Sequence, residues 1–204
     1  MKLTNIKYHS LSYLNDWIQF DEEYISSIRS SEFSQRVESL NRIAIAYRVA
    51  RTLPKKHEQN ERLFEATKYL DSIDNIINEC PIETVEEYTR RLKNKYKVNA
   101  QSAASKFLWM KFKSPIIIYD SQAVNWLRKR GFKNNSSYKD FYTNWTTAFE
   151  EYQIEIENVC CNLQSVLDYC IDPKINTDKI NSATKSKWFQ ERIFDKILWS
   201  QGRV

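Results

Sequence analysis

Residues 101–131 read QSAASKFLWMKFKSPIIIYDSQAVNWLRKRG, a stretch that predicts two helices joined by an extended segment. Small and apolar residues at helical spacing predict a helix over about 100–113. Pro115 and three isoleucines then predict an extended linker or a short strand. Asp120 begins a second helix, because its side chain can accept a hydrogen bond from a free backbone N–H group. Gly131 ends that helix near Lys129, since glycine tolerates the left-handed conformation found just beyond helix C-termini.

The rest of the chain also has helical periodicity. It contains two glycines and four prolines in 204 residues, which argues against sheets joined by tight glycine turns. Thr84 with Glu87, and Ser137 with Asp140, have capping-box spacing. Together these patterns predict an all-α protein with further helices over about 10–29, 33–52, 58–79, 84–96, 137–167 and 185–200. The polar segment 172–185 predicts a loop.

Length and composition predict one domain over 1–204, with room for two lobes. So few glycines exclude a Walker loop or a dinucleotide fingerprint. We expect no membrane partner and a cytoplasmic location, because no apolar run approaches the length of about 18 residues needed to span a bilayer and the N-terminus has no apolar signal core. Reduced thiols and neither metal nor cofactor are expected, since no CxxC pair occurs among Cys80, Cys160, Cys161 and Cys170.

Positive charge is concentrated in one window of the chain. Residues 90–133 contain twelve Lys or Arg and one acid, Asp120, and therefore carry +11, whereas the whole chain carries +5. Solvated faces usually mix both signs, so a polyanionic partner explains the window better than solvation does. The expected partner is nucleic acid, and the sequence leaves the oligomeric state open. The predicted phosphate contacts are Arg90, Arg91, Lys93, Lys111, Lys113, Arg128 and Arg130, with Trp109 and Trp126 as candidates for base stacking.

Lys106 and Asp120 are the candidate catalytic residues of this window. Burial of Lys106 among apolar neighbours and other cations is expected to lower its pKa, because both disfavour the charged ammonium. A neutral amine is a nucleophile and can form a Schiff base. The helix dipole favours an ionised Asp120, which can stabilise oxocarbenium-like charge when a glycosidic bond breaks. The structural alternatives are that Asp120 only caps a helix and that the Lys106 side chain only extends to solvent.

The stretch SAASKFLWMKFKSPIIIYDSQAV resembles the catalytic segment of the helix-hairpin-helix DNA glycosylases, and in particular short prokaryotic proteins with the 8-oxoguanine glycosylase fold. The C-terminal WFQERIFDKILWSQG (188–202) resembles that group more weakly. The resemblance implies a compact two-lobed α-helical fold whose catalytic-like segment lies at 99–131. It also implies hydrolysis of an N-glycosidic bond to a damaged or modified DNA base, with lyase chemistry where the lysine takes part. Asp120 matches the catalytic aspartate and Lys106 the catalytic lysine.

Two departures from that family leave a second interpretation open. The segment KYKVNAQSAASK, where the family has a glycine-rich hairpin, contains no glycine, and Lys106 precedes Asp120 by only 14 residues. The chain can therefore also be a non-catalytic helical module that binds nucleic acid.

A third interpretation rests on Arg51 and His57. Their spacing resembles the Arg and His pair of HEPN-type ribonucleases, another α-helical family, in which histidine supplies acid–base chemistry near neutral pH. Pro54 lies between them and interrupts the helix that such a pair needs.

Overall fold

The computed structural model describes residues 3, 5–54, 56–57, 60–61, 63–133, 137–163, 168–172 and 177–203, with the backbone alone at 56–57, 60–61 and 78. Over these residues the protein is all-α, as the sequence predicts. The helices in chain order are α1 (Ile6–Asp16), α2 (Glu22–Ser27), α3 (Phe33–Ala46), α4 (Phe64–Asp71), α5 (Pro81–Tyr96), α6 (Gln101–Phe112), α7 (Ser121–Lys129), α8 (Tyr138–Cys161), α9 (Thr177–Lys185) and α10 (Lys187–Gln201).

Short irregular elements join some of these helices. A π-helical turn, Trp17–Asp21, follows α1 directly, and 3-10 turns cover Ala50–Thr52 and Ile77–Glu79. Two-residue strands β1 (Lys56–His57) and β2 (Asn60–Glu61) pair antiparallel. Within the described ranges, no helix is long and apolar enough to cross a membrane.

The chain divides into two compact units. Unit 1 consists of Met1–Asp21 and Asp120–Val204, and unit 2 consists of Glu22–Tyr119. The boundary between Tyr119 and Asp120 therefore falls within residues 101–131, between the extended segment and α7.

Helix α6 forms the centre of unit 2. It packs against α5 and also contacts α2 and α3. Every residue from Ala103 to Met110 is buried, including Ser105 and Lys106. A helix that is buried on all sides needs no single apolar face, which explains why its apolar residues surround the axis. The isoleucines 116–118 that follow are also buried and extend the core without forming a strand.

Helix α10 forms the centre of unit 1. It packs against α7 most extensively and also against α1, α8 and α9. Phe194 lies in an aromatic cluster, with ring centroids 5.1 Å from Trp145, 5.5 Å from Phe149 and 6.0 Å from Trp126. Aromatic side chains of this size dominate the apolar area that a small core buries.

Several predicted helix limits are wrong. The helix predicted over 33–52 ends at Ala46, because Arg48 adopts a left-handed conformation with φ 58°. Among the described residues of the helix predicted over 58–79, α4 covers Phe64–Asp71, while 58, 59 and 62 lie outside the described residues. The predicted loop 172–185 contains α9, which buries Ile180 and Ala183 on one face.

Candidate functional site

Asp120 lies at the N-terminus of α7, as predicted. Its backbone is extended and its half-buried carboxylate accepts a 2.9 Å hydrogen bond from the backbone N–H of Gln122. Helix α7 then runs to Lys129, and Gly131 follows with φ 91°. The first turn of the helix brings positive dipole charge to the Asp120 carboxylate. The capping prediction is therefore confirmed.

A second carboxyl of unit 1 lies within electrostatic reach of Asp120. Asp195 on α10 is buried; its Oδ1 accepts from Trp145 Nε1 at 2.8 Å and its Oδ2 from Arg192 Nη1 at 3.4 Å. Burial raises the pKa of Asp195 to about 7, and the negative charge of Asp120 acts in the same direction against the lowering effects of Arg192 and Trp145. Asp195 is therefore a carboxyl that exchanges its proton near neutral pH.

The end of α10 fixes the start of α7. A Cβ added at Gly202 would lie 1.9 Å from the carbonyl oxygen of Gln122, so only glycine allows the two backbones to approach this closely. Trp126 Nε1 donates to Gln201 Oε1 at 3.1 Å and adds a second connection between α7 and α10. The carboxylate of Asp120 thus starts a helix that is held firmly within unit 1.

Lys106 is held within unit 2. It is 6% exposed, and its Nζ donates to Ser102 Oγ at 3.1 Å, one helical turn earlier on α6. Burial of an amine among small and apolar residues agrees with the environment expected from the sequence. Because Lys106 belongs to unit 2 and Asp120 to unit 1, their pairing in one site stays a prediction.

Two serines of α6 bind the backbone of Tyr119, the last residue of the extended segment. Ser102 Oγ donates to the Tyr119 carbonyl at 3.0 Å, and the Tyr119 N–H donates to Ser105 Oγ at 2.9 Å. Ser105 Oγ also donates to the Ser102 carbonyl at 3.2 Å. Neither serine is among the residues predicted from the sequence.

Comparisons with protein-family models, curated proteins and solved structures find no match. In the part of the chain that the structure describes, no group of three or more His, Cys, Asp or Glu is arranged to hold a metal ion.

Arg90 and Arg91 share one acidic partner on α5. Glu87 accepts from Arg91 Nε at 2.7 Å and from Arg90 Nε at 2.8 Å, and Arg91 also donates to Ser72 Oγ. Burial alone would raise the pKa of Glu87, but the hydrogen bonds from Arg91 and Arg90 outweigh burial and lower it. Part of the positive charge predicted to meet phosphate is therefore neutralised within α5.

Lys111 and Arg130 also have partners in their own units. Lys111 Nζ donates to the Leu70 carbonyl at 2.8 Å near the C-terminus of α4, and burial lowers its pKa, with the opposing charge of Asp71 second in size. Arg130 pairs with Glu151 at 3.0 Å and lies over the Trp126 ring. In the structure, Lys111 therefore caps α4, and Arg130 forms an ion pair and packs on an aromatic ring; their role as phosphate contacts stays a prediction.

The remaining predicted contacts differ in exposure. Lys93 and Arg128 are exposed, and neither forms an ion pair with another described residue. Lys113 is half-buried and adopts a left-handed backbone conformation with φ 58°. Lys93 in unit 2 and Arg128 in unit 1 are therefore the predicted cations that remain most available to a polyanion.

Trp109 and Trp126, the predicted base-stacking residues, are both buried in the structure. Trp109 is 1% exposed on α6, and Trp126 is 2% exposed. Tyr152 and Phe194 meet the Trp126 ring edge to face, and Arg130 lies over it. Rings packed in this way offer almost no surface to an extruded base, so both serve the hydrophobic core.

Arg51 and His57 do not lie on one helix. Arg51 is in the 3-10 turn Ala50–Thr52, whereas the backbone of His57 is in β1. The side chain of His57 lies outside the described residues. The backbone arrangement therefore removes the single-helix geometry on which the ribonuclease interpretation depends.

Proposed function

We propose that this protein binds DNA and hydrolyses the N-glycosidic bond of a damaged or modified base. The observation that carries the proposal is the carboxylate of Asp120 at the N-terminus of α7, directly after the extended segment that follows α6. The order of buried lysine, extended segment and helix-capping aspartate is the order that the glycosylase resemblance implies.

Asp120 is the carboxylate that stabilises positive charge on the sugar. As the bond from C1′ to the base breaks, its electron pair leaves with the base and positive charge develops on C1′ and O4′. An ionised carboxylate beside this charge lowers the barrier. The N-terminal turn of α7 keeps that carboxylate oriented, because the Gln122 N–H holds Oδ1 at 2.9 Å.

Lys106 is the nucleophile where lyase chemistry follows. Its nitrogen bonds to C1′ while the base departs and takes a proton from solvent. Ring opening then moves one amine proton to O4′ and leaves an iminium between Nζ and C1′ that keeps the other. Borohydride delivers hydride to that C1′ and makes the link permanent. Supporting this role, Lys106 is 6% exposed and its Nζ lies 3.1 Å from Ser102 Oγ.

DNA is the proposed partner because of the charge in residues 90–133. Lys93 and Arg128 supply exposed cations there, while Arg90 and Arg91 can exchange Glu87 for phosphate at the cost of an ion pair. Binding dominated by phosphate contacts weakens steeply with salt.

Borohydride trapping on a duplex with one abasic site tests the proposal. The wild type should give a covalent adduct, and Lys106→Met should give none. Lys111→Met is the matched control, because it removes a half-buried lysine of the same helix, and it should retain the adduct.

Two other results would contradict the catalytic proposal. Salt-sensitive DNA binding by the wild type with neither adduct nor base release would indicate a non-catalytic binding module. Equal trapping by the wild type and by Lys106→Met would show that another amine is the nucleophile.

A further inference from the structure

Hydrogen bonds connect the amine of Lys106 to the end of the extended segment. Nζ donates to Ser102 Oγ at 3.1 Å, Ser102 Oγ donates to the Tyr119 carbonyl at 3.0 Å, and the Tyr119 N–H donates to Ser105 Oγ at 2.9 Å. Ser105 Oγ in turn donates to the Ser102 carbonyl at 3.2 Å. These four contacts lie within unit 2 and tie α6 to the end of the extended segment.

The single hydroxyl proton of Ser102 limits the hydrogen bonds that this residue can form with Lys106. A serine hydroxyl has one proton, and that of Ser102 goes to the Tyr119 carbonyl. Ser102 Oγ can therefore only accept from Lys106, whether the amine is charged or neutral. It cannot deprotonate the lysine, but it fixes one N–H and so directs the lone pair of the neutral amine away from itself.

Fixing the amine matters because a lysine side chain is long and flexible. Four rotatable bonds separate Nζ from the backbone, and ordering them costs side-chain entropy. Attack on C1′ needs the nitrogen about 3–3.5 Å from the carbon in one direction. An acceptor one turn away on the same helix limits Nζ to a small region in the resting protein.

We propose that Ser102 is the positioning residue for the amine of Lys106 and that Tyr119, through its carbonyl, holds Ser102 in the accepting orientation. The proposal rests on the proposed function of Lys106 as a nucleophile. Ser105 differs from Ser102 in one respect that makes it a control: both bind the Tyr119 backbone, but the hydrogen bond to Nζ goes to Ser102.

The test compares Ser102→Ala, Ser102→Thr and Ser105→Ala in borohydride trapping on an abasic duplex. At saturating DNA, Ser102→Ala should trap about 10- to 100-fold more slowly, with unchanged DNA affinity, because binding is intact and only the attack geometry is lost. Ser102→Thr keeps the hydroxyl and should restore most of the rate. Ser105→Ala should stay within about threefold of the wild type. Circular dichroism checks that each variant is folded.

A second measurement without DNA separates this proposal from the proposed function. Trace acetylation followed by peptide mass spectrometry reports the reactivity of Lys106 in the free protein. Ser102→Ala should change that reactivity severalfold and Ser105→Ala should not. If the wild type traps nothing while this labelling pattern holds, the nucleophile role fails and the positioning role stands. Equal effects of both alanine variants in labelling or trapping overturn the positioning role, because Ser102 would then only anchor Tyr119.

Discussion

The buried carboxyl of Asp195 makes the stability of unit 1 depend on pH. An unfolded aspartate loses its proton around pH 3.8, whereas the folded Asp195 keeps it to about pH 7. Between these values the folded state binds the extra proton, so the free energy of unfolding falls as pH rises, and the loss is complete above about pH 7. At roughly 1.4 kcal/mol per pKa unit, the loss is about 4 kcal/mol.

Asp195→Asn removes the titrating group and keeps its shape. The amide oxygen can still accept from Trp145 Nε1, now 2.8 Å from Oδ1. Near pH 4 the variant and the wild type should be equally stable. At pH 8 the variant should be more stable by a few kcal/mol, because burial of a neutral amide costs less than burial of a carboxylate beside Arg192.

Urea unfolding between pH 4 and 8, followed by tryptophan fluorescence, measures the difference. Five of the six tryptophans belong to unit 1, so the signal reports mainly on that unit. Glu157→Gln on the exposed side of α8 is the control and should run parallel to the wild type. Asp120→Asn should move the wild-type transition to lower pH, since the charge of Asp120 helps to raise the pKa of Asp195. A constant difference between Asp195→Asn and the wild type at every pH would refute the reasoning.

Further substitutions test packing and charge. Gly202→Ala should destabilise unit 1 by roughly 1–3 kcal/mol in thermal unfolding, because its Cβ meets a backbone oxygen, whereas Gly131→Ala should cost roughly 1 kcal/mol through φ strain alone. Arg128→Ala should lower DNA affinity and reduce the slope of its salt dependence by about one, measured by DNA titrations at several salt concentrations. Arg130→Ala should leave that slope unchanged and should lower the stability of unit 1 in thermal unfolding. Lys111→Met should cost roughly 1–3 kcal/mol in urea unfolding, because the Leu70 carbonyl loses its partner.

Local signals explain which parts of the fold the sequence predicts. Helix α7 has its limits as expected, since Asp120 caps it and Gly131 follows it. Ser137 likewise caps α8, with the Asp140 N–H donating to its Oγ at 3.0 Å. Each of these contacts joins residues within three positions, so the spacing alone contains the information.

Contacts between distant residues explain the wrong limits. Helix α4 begins at Phe64, where the Ala66 N–H donates to Tyr96 and Tyr88 donates to the Ala66 carbonyl. No local pattern predicts that tyrosines 22 and 30 residues away stabilise this turn. The helix start predicted at Thr84 is wrong for another reason. Thr84 Oγ1 donates to the Cys80 carbonyl within α5, which already begins at Pro81.

The same distinction holds for the candidate site. Residue chemistry and the glycosylase resemblance select Lys106 and Asp120. Ser102, in contrast, donates to the carbonyl of a residue 17 positions away, and Asp195 accepts from an indole 50 positions away. Two isolated serines and one acid on an apolar helix give no signal in sequence that separates them from surface residues.

Base release by Asp120→Asn is the most direct test of the central claim. The substrates are duplexes with one 8-oxoguanine or one uracil, compared at saturating protein, and Asp140→Asn, which changes an acid in the first turn of α8, is the control. We predict that the wild type and Asp140→Asn release base from at least one duplex, and that Asp120→Asn binds the same DNA but releases base at least about 100-fold more slowly. Equal release by the wild type and Asp120→Asn, or tight DNA binding by the wild type without release from any duplex, would contradict it.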